Sequence, residues 1–290
     1  MQAESNAAKG PVTFVVFTYN EERRIEWAIK NFMHWGPILV VDNYSEDRTV
    51  EIARSYGCDI LMNKNKGWVE DPETVAKVWA AVNTEWIYWG FADEWADEAT
   101  LTAILDAAKS NKYQIINLAR KNYYYGSFFE HAFAHRMNRV FKKNAIDFST
   151  NTIHHFGTVT VPDNQIRQLG ASKYFVHHFM ANDAKSLLGS MDRYTDVDAR
   201  SFTGSLSSIA LIAKLLKTFL VEYFFRGAWR NGFTGLAFVL QHLYYKCLVS
   251  MKGYELSHSL NNGGAEELND KRRSALLDAM NKSGDIRGTL

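Results

Sequence analysis

Pro37-Ile38-Leu39-Val40-Val41-Asp42 and Trp86-Ile87-Tyr88-Trp89-Gly90-Phe91-Ala92-Asp93-Glu94 are the two runs that decide how this chain folds. Each is a short apolar stretch of strand-forming residues that stops abruptly at a carboxylate. Buried strands of this kind belong to open α/β sheets, which bind their ligands outside the carboxyl edge. Asp42 and Asp93 would bring two negative charges to that edge. One can accept hydrogen bonds from a base or ribose, and the other can hold a divalent cation against a diphosphate. An aspartate at a strand end is also ordinary turn chemistry, and Asp93 with Glu94, Asp97 and Glu98 also reads as the acidic first turn of a helix.

The flanking sequence supports the sheet. Val12 to Phe17 is a third β-rich run, followed by Thr18-Tyr19-Asn20-Glu21-Glu22 and an amphipathic segment with Ile25, Ala28, Ile29 and Phe32 at helical spacing. Asn20 is the expected N-cap, with Glu21 and Glu22 at the positive end of the helix dipole. A helix is expected from about Arg48 to Tyr56, stopped by Gly57, then a strand at Asp59 to Met62 and a helix at Pro72 to Val82. Glu98 to Lys109 reads as a helix and Gln114 to Leu118 as a strand. Strands alternating with helices in this way imply a mostly parallel sheet with right-handed crossovers. Beyond about residue 190 the pattern changes to long helical stretches, Leu206 to Arg226 and Phe233 to Lys252, and then to a polar tail. The expected division is residues 1–190 as the α/β ligand-binding and catalytic domain and 191–290 as a helical, membrane-associating or oligomerising region.

Three segments carry a family resemblance. Phe17-Thr18-Tyr19-Asn20-Glu21-Glu22, Val40-Val41-Asp42-Asn43-Tyr44-Ser45-Glu46-Asp47-Arg48-Thr49 and Trp86 through Glu94 resemble the opening loop, second strand and turn, and metal-motif strand of family 2 glycosyltransferases of the GT-A fold. Within that family the chain looks most like the branch of the lipopolysaccharide-core β-1,4-glucosyltransferases. The resemblance implies a Rossmann-like, mostly parallel sheet flanked by helices, with a C-terminal amphipathic helical extension. It implies an inverting transfer from a nucleotide-diphosphate donor, with UDP-sugar expected, to a hydroxyl of a lipid-linked or cell-envelope glycan. Thr18, Tyr19, Glu21 and Asp42 would line the nucleotide pocket. Asp93 would hold a divalent cation, Mg²⁺ or Mn²⁺, that neutralises the departing diphosphate. Arg139, His178 and Arg193 would face the diphosphate or the acceptor, and His155 or Glu94 would take the acceptor proton.

The chain departs from that pattern in places. Phe91 stands where the family motif has its first carboxylate, so a weakly bound metal is expected. His154-His155 replaces the usual His-Glu, which leaves His155, Glu94 and Asp147 as rival proton acceptors. Adjacent strand residues point to opposite faces, so at most one of His154 and His155 can face a given pocket. The two lost carboxylates also raise an alternative, a catalytically weak or inactive module that binds a nucleotide-sugar or glycan.

Composition narrows the partners. Lys plus Arg number 33 against 32 Asp plus Glu, so no global field favours nucleic acid. Two cysteines, Cys58 and Cys247, give no disulfide framework, and the polar start Met1 to Gly10 does not read as a secretory signal, so a cytoplasmic location is expected. No stretch reaches the roughly 18 apolar residues of a confident membrane span. Between residues 206 and 252, however, Lys214, Lys217, Arg226, Arg230, Lys246 and Lys252 face Glu222 as the lone acid, amid many aromatic and aliphatic side chains. Such helices lie flat on a membrane surface, so a peripheral position on the inner face is expected, with packing in a homo-oligomer as the other reading. Along Leu206 to Arg226, Lys214, Lys217, Thr218 and Glu222 are expected to share the polar side.

Overall fold

The computed structural model describes residues 10–65, 70–128, 136–149, 151, 156–181, 183–200, 202, 207–261 and 263–287. Strands and helices alternate through the first half: β1 (Val12–Thr18), α1 (Ile25–Phe32), β2 (Ile38–Asp42), α2 (Thr49–Ser55), β3 (Asp59–Met62), α3 (Pro72–Ala81) and β4 (Trp86–Phe91). A three-residue strand β5 (Glu94–Ala96) and α4 (Glu98–Lys109) follow. Next come β6 (Ile115–Tyr124), β7 (Ser127–Phe128), β8 (Arg136–Lys142), β9 (Ile146–Asp147), β10 (Thr158–Val159), β11 (Ile166–Gln168) and β12 (Phe175–Ala181). The chain closes with α5 (Ala184–Arg200), α6 (Ser208–Leu220), α7 (Gly232–Ser257) and α8 (Gly264–Arg287).

The main sheet runs β3-β2-β1-β4-β8-β6-β12-β5, with β7 and β11 also paired to β6. β1 is parallel to β2 and β4, and β2 to β3, as the alternating pattern requires. β8 runs antiparallel between β4 and β6, and β5 runs antiparallel to β12. The two-residue link Ala92-Asp93 joins a central strand to the far edge strand. Two residues span only about 10 Å. The sheet must therefore curl until β12 and β5 come back beside the end of β4. A hydrogen bond from the Phe179 backbone N–H to the Asp93 carbonyl, 2.9 Å, fastens that seam.

Period-2 alternation sorts the core onto two faces. Phe14, Trp86, Tyr88 and Ile116 pack with Ile25, Ile29 and Phe32 of α1 and Leu101 and Ile104 of α4. Val15, Leu39, Ile87, Trp89 and Phe141 turn the other way, onto Val75 and Val78 of α3 and onto Phe148. Burial on both faces explains why β1, β2 and β4 read as unbroken apolar runs. A smaller cluster, Tyr124, Ala228, Phe238 and Val239, joins the C-terminal helices to the end of β6.

Three expectations need correction. Asn20 does not cap α1: its backbone is left-handed, φ 54°, and the helix begins after Arg24 without a side-chain cap. Its amide oxygen instead accepts from the Glu46 N–H at 2.9 Å. Of the acidic group read as a helix's first turn, Asp97 and Glu98 do cap and open α4, whereas Glu94 belongs to the edge strand β5. Glu222, expected on the polar side of its helix, is buried, because Val221–Phe225 forms a π-helical turn that resets the helical phase.

Candidate active site

The loops after β1 and β2 are built as one body. The Asp42 carboxylate accepts from the Thr18 hydroxyl at 2.8 Å, the Ser45 backbone N–H at 2.7 Å and the Ser45 hydroxyl at 2.6 Å. The Asn20 N–H donates to Ser45 Oγ at 2.8 Å, the Glu22 N–H to Asp47 at 3.0 Å and the Glu21 N–H to Thr49 Oγ1 at 2.7 Å. Tyr44, like Asn20, holds a left-handed backbone, φ 60°, a strained conformation for a residue with a side chain. Tyr19 and Tyr44 are left exposed at this rim.

Asp42 itself is 0 % exposed. In place of the direct base contact expected from the sequence, both its oxygens accept from Thr18 and Ser45, and the residue ties the loops after β1 and β2 together. Glu21 is likewise turned to the protein, with Arg24 Nε and Nη2 donating to its carboxylate at 2.5 and 2.6 Å. Burial raises its carboxyl above the usual range, and the Arg24 contact opposes that only in part.

Asp93 sits at the seam of the curled sheet and keeps an open side. Its Oδ2 lies 3.4 Å from His178 Nε2 and 4.0 Å from an Arg24 guanidinium nitrogen. Burial would raise its carboxyl, but His178, Arg24 and Arg120 outweigh that and hold it at about 2. Asp93 Oδ1 is buried without a hydrogen-bond partner. His178 is oriented from behind: its Nδ1–H donates to Asn122 Oδ1 at 2.8 Å, which directs Nε2 to Asp93. Its neighbour His177 points to the opposite face and meets the Tyr123 hydroxyl at 2.7 Å.

Among the described residues no three His, Cys, Asp or Glu side chains cluster to hold a metal. The Asp93 and His178 pair nonetheless fits a divalent ion that takes its other ligands from a diphosphate and water. An orphaned carboxylate oxygen and an imidazole nitrogen aimed at the same carboxylate are suitable donors. Phe91 takes no part as a ligand. Its ring lies 5.1 Å from the Arg139 guanidinium carbon and 5.9 Å from the Phe17 ring centroid.

Two other expectations are corrected by burial. Arg139 is 2 % exposed, and it donates to Glu94 at 2.5 Å and to the Trp89 carbonyl at 3.0 Å. Glu94, with no exposed side-chain surface, is the other half of that pair. Both are enclosed in the sheet, where they neutralise each other. Asp147 is exposed on β9 and accepts from the Ser149 N–H and hydroxyl. His155 lies outside the described residues, and Arg193 is carried by α5, its side chain likewise outside them.

Sequence reading missed Arg24, Arg120 and Asn122. Arg120 is largely buried among Arg139, Glu94, Asp93 and Tyr88, and burial together with Arg139 lowers its guanidinium. Only Arg24 had a local signal, a basic residue following an acidic pair in the opening loop.

The geometry meets a clear family match. The model described as glycosyl transferase family 2 matches residues 13–161, from β1 past Asp93 to β10, with β12 and His178 beyond it. An uncharacterized glycosyltransferase of Rickettsia prowazekii (strain Madrid E) is 24% identical over 236 residues, 77% of this chain and 79% of its own. A second, from Rickettsia typhi (strain ATCC VR-144 / Wilmington), is 24% identical over 263 residues, 86% of this chain and 88% of its own. Among solved structures, S. aureus TarS 1-349 in complex with UDP-GlcNAc is 11% identical, with 88% of this chain and 92% of that chain covered and a TM-score of 0.42. Glucosyl-3-phosphoglycerate synthase from Mycobacterium tuberculosis, with Mn²⁺, UDP and phosphoglyceric acid, is 15% identical, with 67% and 78% covered and a TM-score of 0.42.

Proposed function

We propose that this chain, which belongs to glycosyltransferase family 2, moves a sugar with inversion from a UDP-linked donor to a hydroxyl of a lipid-linked or cell-envelope glycan. The observation that carries this reading is the cluster at the seam, where Asp93 meets His178 Nε2 at 3.4 Å and Arg24 at 4.0 Å beside the laced loops of β1 and β2. A sugar diphosphate needs positive charge around its leaving oxygens and a shaped wall for its nucleoside. The cations around Asp93 and the cross-tied loops beside it support that reading.

Asp93 and His178 would hold the divalent cation, Mg²⁺ or Mn²⁺, whose charge offsets that of the departing diphosphate. Arg24 and Arg120 add fixed positive charge at the same place. Thr18, Ser45 and Asp42 keep the nucleoside wall in shape, and Tyr19 and Tyr44 offer aromatic faces at its rim. The acceptor oxygen attacks the anomeric carbon and its proton passes to a base, for which His155 is our assignment. The bond between anomeric carbon and diphosphate oxygen breaks, and its electron pair leaves with UDP. Residues 1–190 form the donor-binding and catalytic domain in this reading, and residues 191–290 serve the acceptor side.

Isothermal titration of UDP-, GDP- and ADP-sugars with and without Mn²⁺, coupled to UDP release in the presence of an envelope glycolipid extract, tests the proposal. Selective, Mn²⁺-assisted UDP-sugar binding that Asp93→Asn weakens at least tenfold is the expected result. Binding without turnover would assign a nucleotide-sugar-binding module, and no binding of any nucleotide sugar would overturn the reading.

A further inference from the structure

The helical hairpin of α6 and α7 leaves an apolar face uncovered. Ile209, Ile212, Leu216 and Leu220 recur at helical spacing and are all exposed, Ile209 to 79 %. The inward side of the same helix is different: Phe219 and Tyr223 are half-buried against the cluster around Tyr124. The exposed stripe runs into the turn of the hairpin, where Phe225 is 86 % exposed and Trp229 50 %. On α7, Phe233, Leu240, Tyr244 and Met251 form a second exposed stripe.

The charge on α6 and the turn that follows it is one-sided. Lys214, Lys217, Arg226 and Arg230 are exposed. Glu222, the only acid on α6 and its following turn, is buried with Arg226 at 3.0 Å and His242 at 3.6 Å. The π-helical turn that buries Glu222 thus takes the one negative charge of α6 and its following turn off the surface, and Glu255, near the far end of α7, is the exposed acid of the hairpin. Arg230 lies over the Trp229 ring, 5.4 Å from its centroid, which sets a cation and an interfacial aromatic side by side.

We infer that this face docks on a lipid surface rich in anionic headgroups, with the hairpin lying in the interface plane. An exposed apolar stripe flanked by unbalanced lysine and arginine is what such a surface binds, the apolar side chains entering the acyl boundary and the cations meeting phosphates. A second copy of the chain fits less well. A two-fold contact sets a patch against itself, and here it would bring Lys214, Lys217 and Arg230 together with few acids to compensate. No helix among the described residues is long and apolar enough to cross a membrane, so the hairpin lies on the surface rather than through it. The hairpin is also tied to the site: the Tyr124 hydroxyl donates to Gln241 Oε1 at 2.5 Å, and Tyr124 stands two residues beyond Asn122 on β6.

Sedimentation of the full chain with phosphatidylcholine vesicles, with and without phosphatidylglycerol, tests the inference. Binding should require the anionic lipid and weaken as salt rises. Phe225→Ser with Trp229→Ser, and separately Lys214→Glu with Lys217→Glu, should each reduce it at least tenfold. Their far-UV circular dichroism and Mn²⁺-dependent UDP binding should match the parent, which separates this inference from the donor-site reading. Equal sedimentation with neutral and anionic vesicles would overturn it. So would light scattering that shows a stable oligomer dispersed by these substitutions while vesicle binding is retained.

Discussion

Asn122 and His178 are joined by a 2.8 Å hydrogen bond from the ring Nδ1–H to the amide oxygen, and that bond decides which ring nitrogen meets Asp93. Asn122 comes from β6 and His178 from the adjacent β12, where the two residues are register partners. The orientation of the imidazole is therefore written into strand pairing.

Asn122→Ala should release the ring and lower Mn²⁺ affinity in the presence of UDP by about 10- to 100-fold, the usual effect of losing a partner that orients a ligand. Mn²⁺ paramagnetic resonance reads the affinity without any turnover. Unchanged affinity would mean that His178 needs no such support.

Asp42→Ala removes the acceptor shared by the Thr18 hydroxyl, the Ser45 N–H and the Ser45 hydroxyl. Donors left unsatisfied in a buried setting cost about 1–3 kcal/mol, so urea denaturation should show a loss in that range. UDP affinity should fall with it, and Asp42→Asn should be milder in both assays.

Glu94→Leu strands the Arg139 guanidinium inside the sheet. Breaking a buried pair from one side costs about 3–5 kcal/mol, whereas replacing both partners by apolar groups is often near neutral. Combining Glu94→Leu with Arg139→Met should recover most of the stability in the same urea assay. If Glu94 instead served as proton acceptor, the single variant would keep its stability and lose turnover.

His242 sets a pH dependence for the C-terminal helices. Burial lowers its pKa below 6.5, and Lys246 and Arg226 add to that while Glu222 opposes it. Below pH 6.5 the unfolded chain then binds more protons at this residue than the folded chain does. Stability is full above 6.5 and falls as pH drops through the lower folded value. Thermal melts should show this acid-side loss, and His242→Gln should flatten it relative to the parent.

Sequence pattern was sufficient for β1 to β4, and the spans Asp59–Met62 and Glu98–Lys109 are those that periodicity predicts. Both apolar period and turn chemistry are local there. Glu94–Ala96 was hidden because three residues carry no period, and because its partner, the stretch around His178, lies far along the chain. The burial of Asp42, Glu94 and Arg139 was equally out of reach, since a charged residue gives no sign of the partner that will neutralise it. The position of Glu222 failed for another reason: an ideal helical wheel does not allow for a widened turn. Asp93 was legible as an edge carboxylate, whereas Asn122 and Arg120 enter the site only through strand pairing.

The lacing of the β1 and β2 loops bears on timing. The Asn20 N–H is bonded to Ser45 Oγ and the Glu21 N–H to Thr49 Oγ1, so the protein's own groups cross-tie the two loops. Loops cross-tied in this way need little further ordering, so nucleoside capture against them should follow a single exponential whose rate rises linearly with concentration. A slow, saturating phase, the mark of a loop that must first rearrange, is not expected from these two loops.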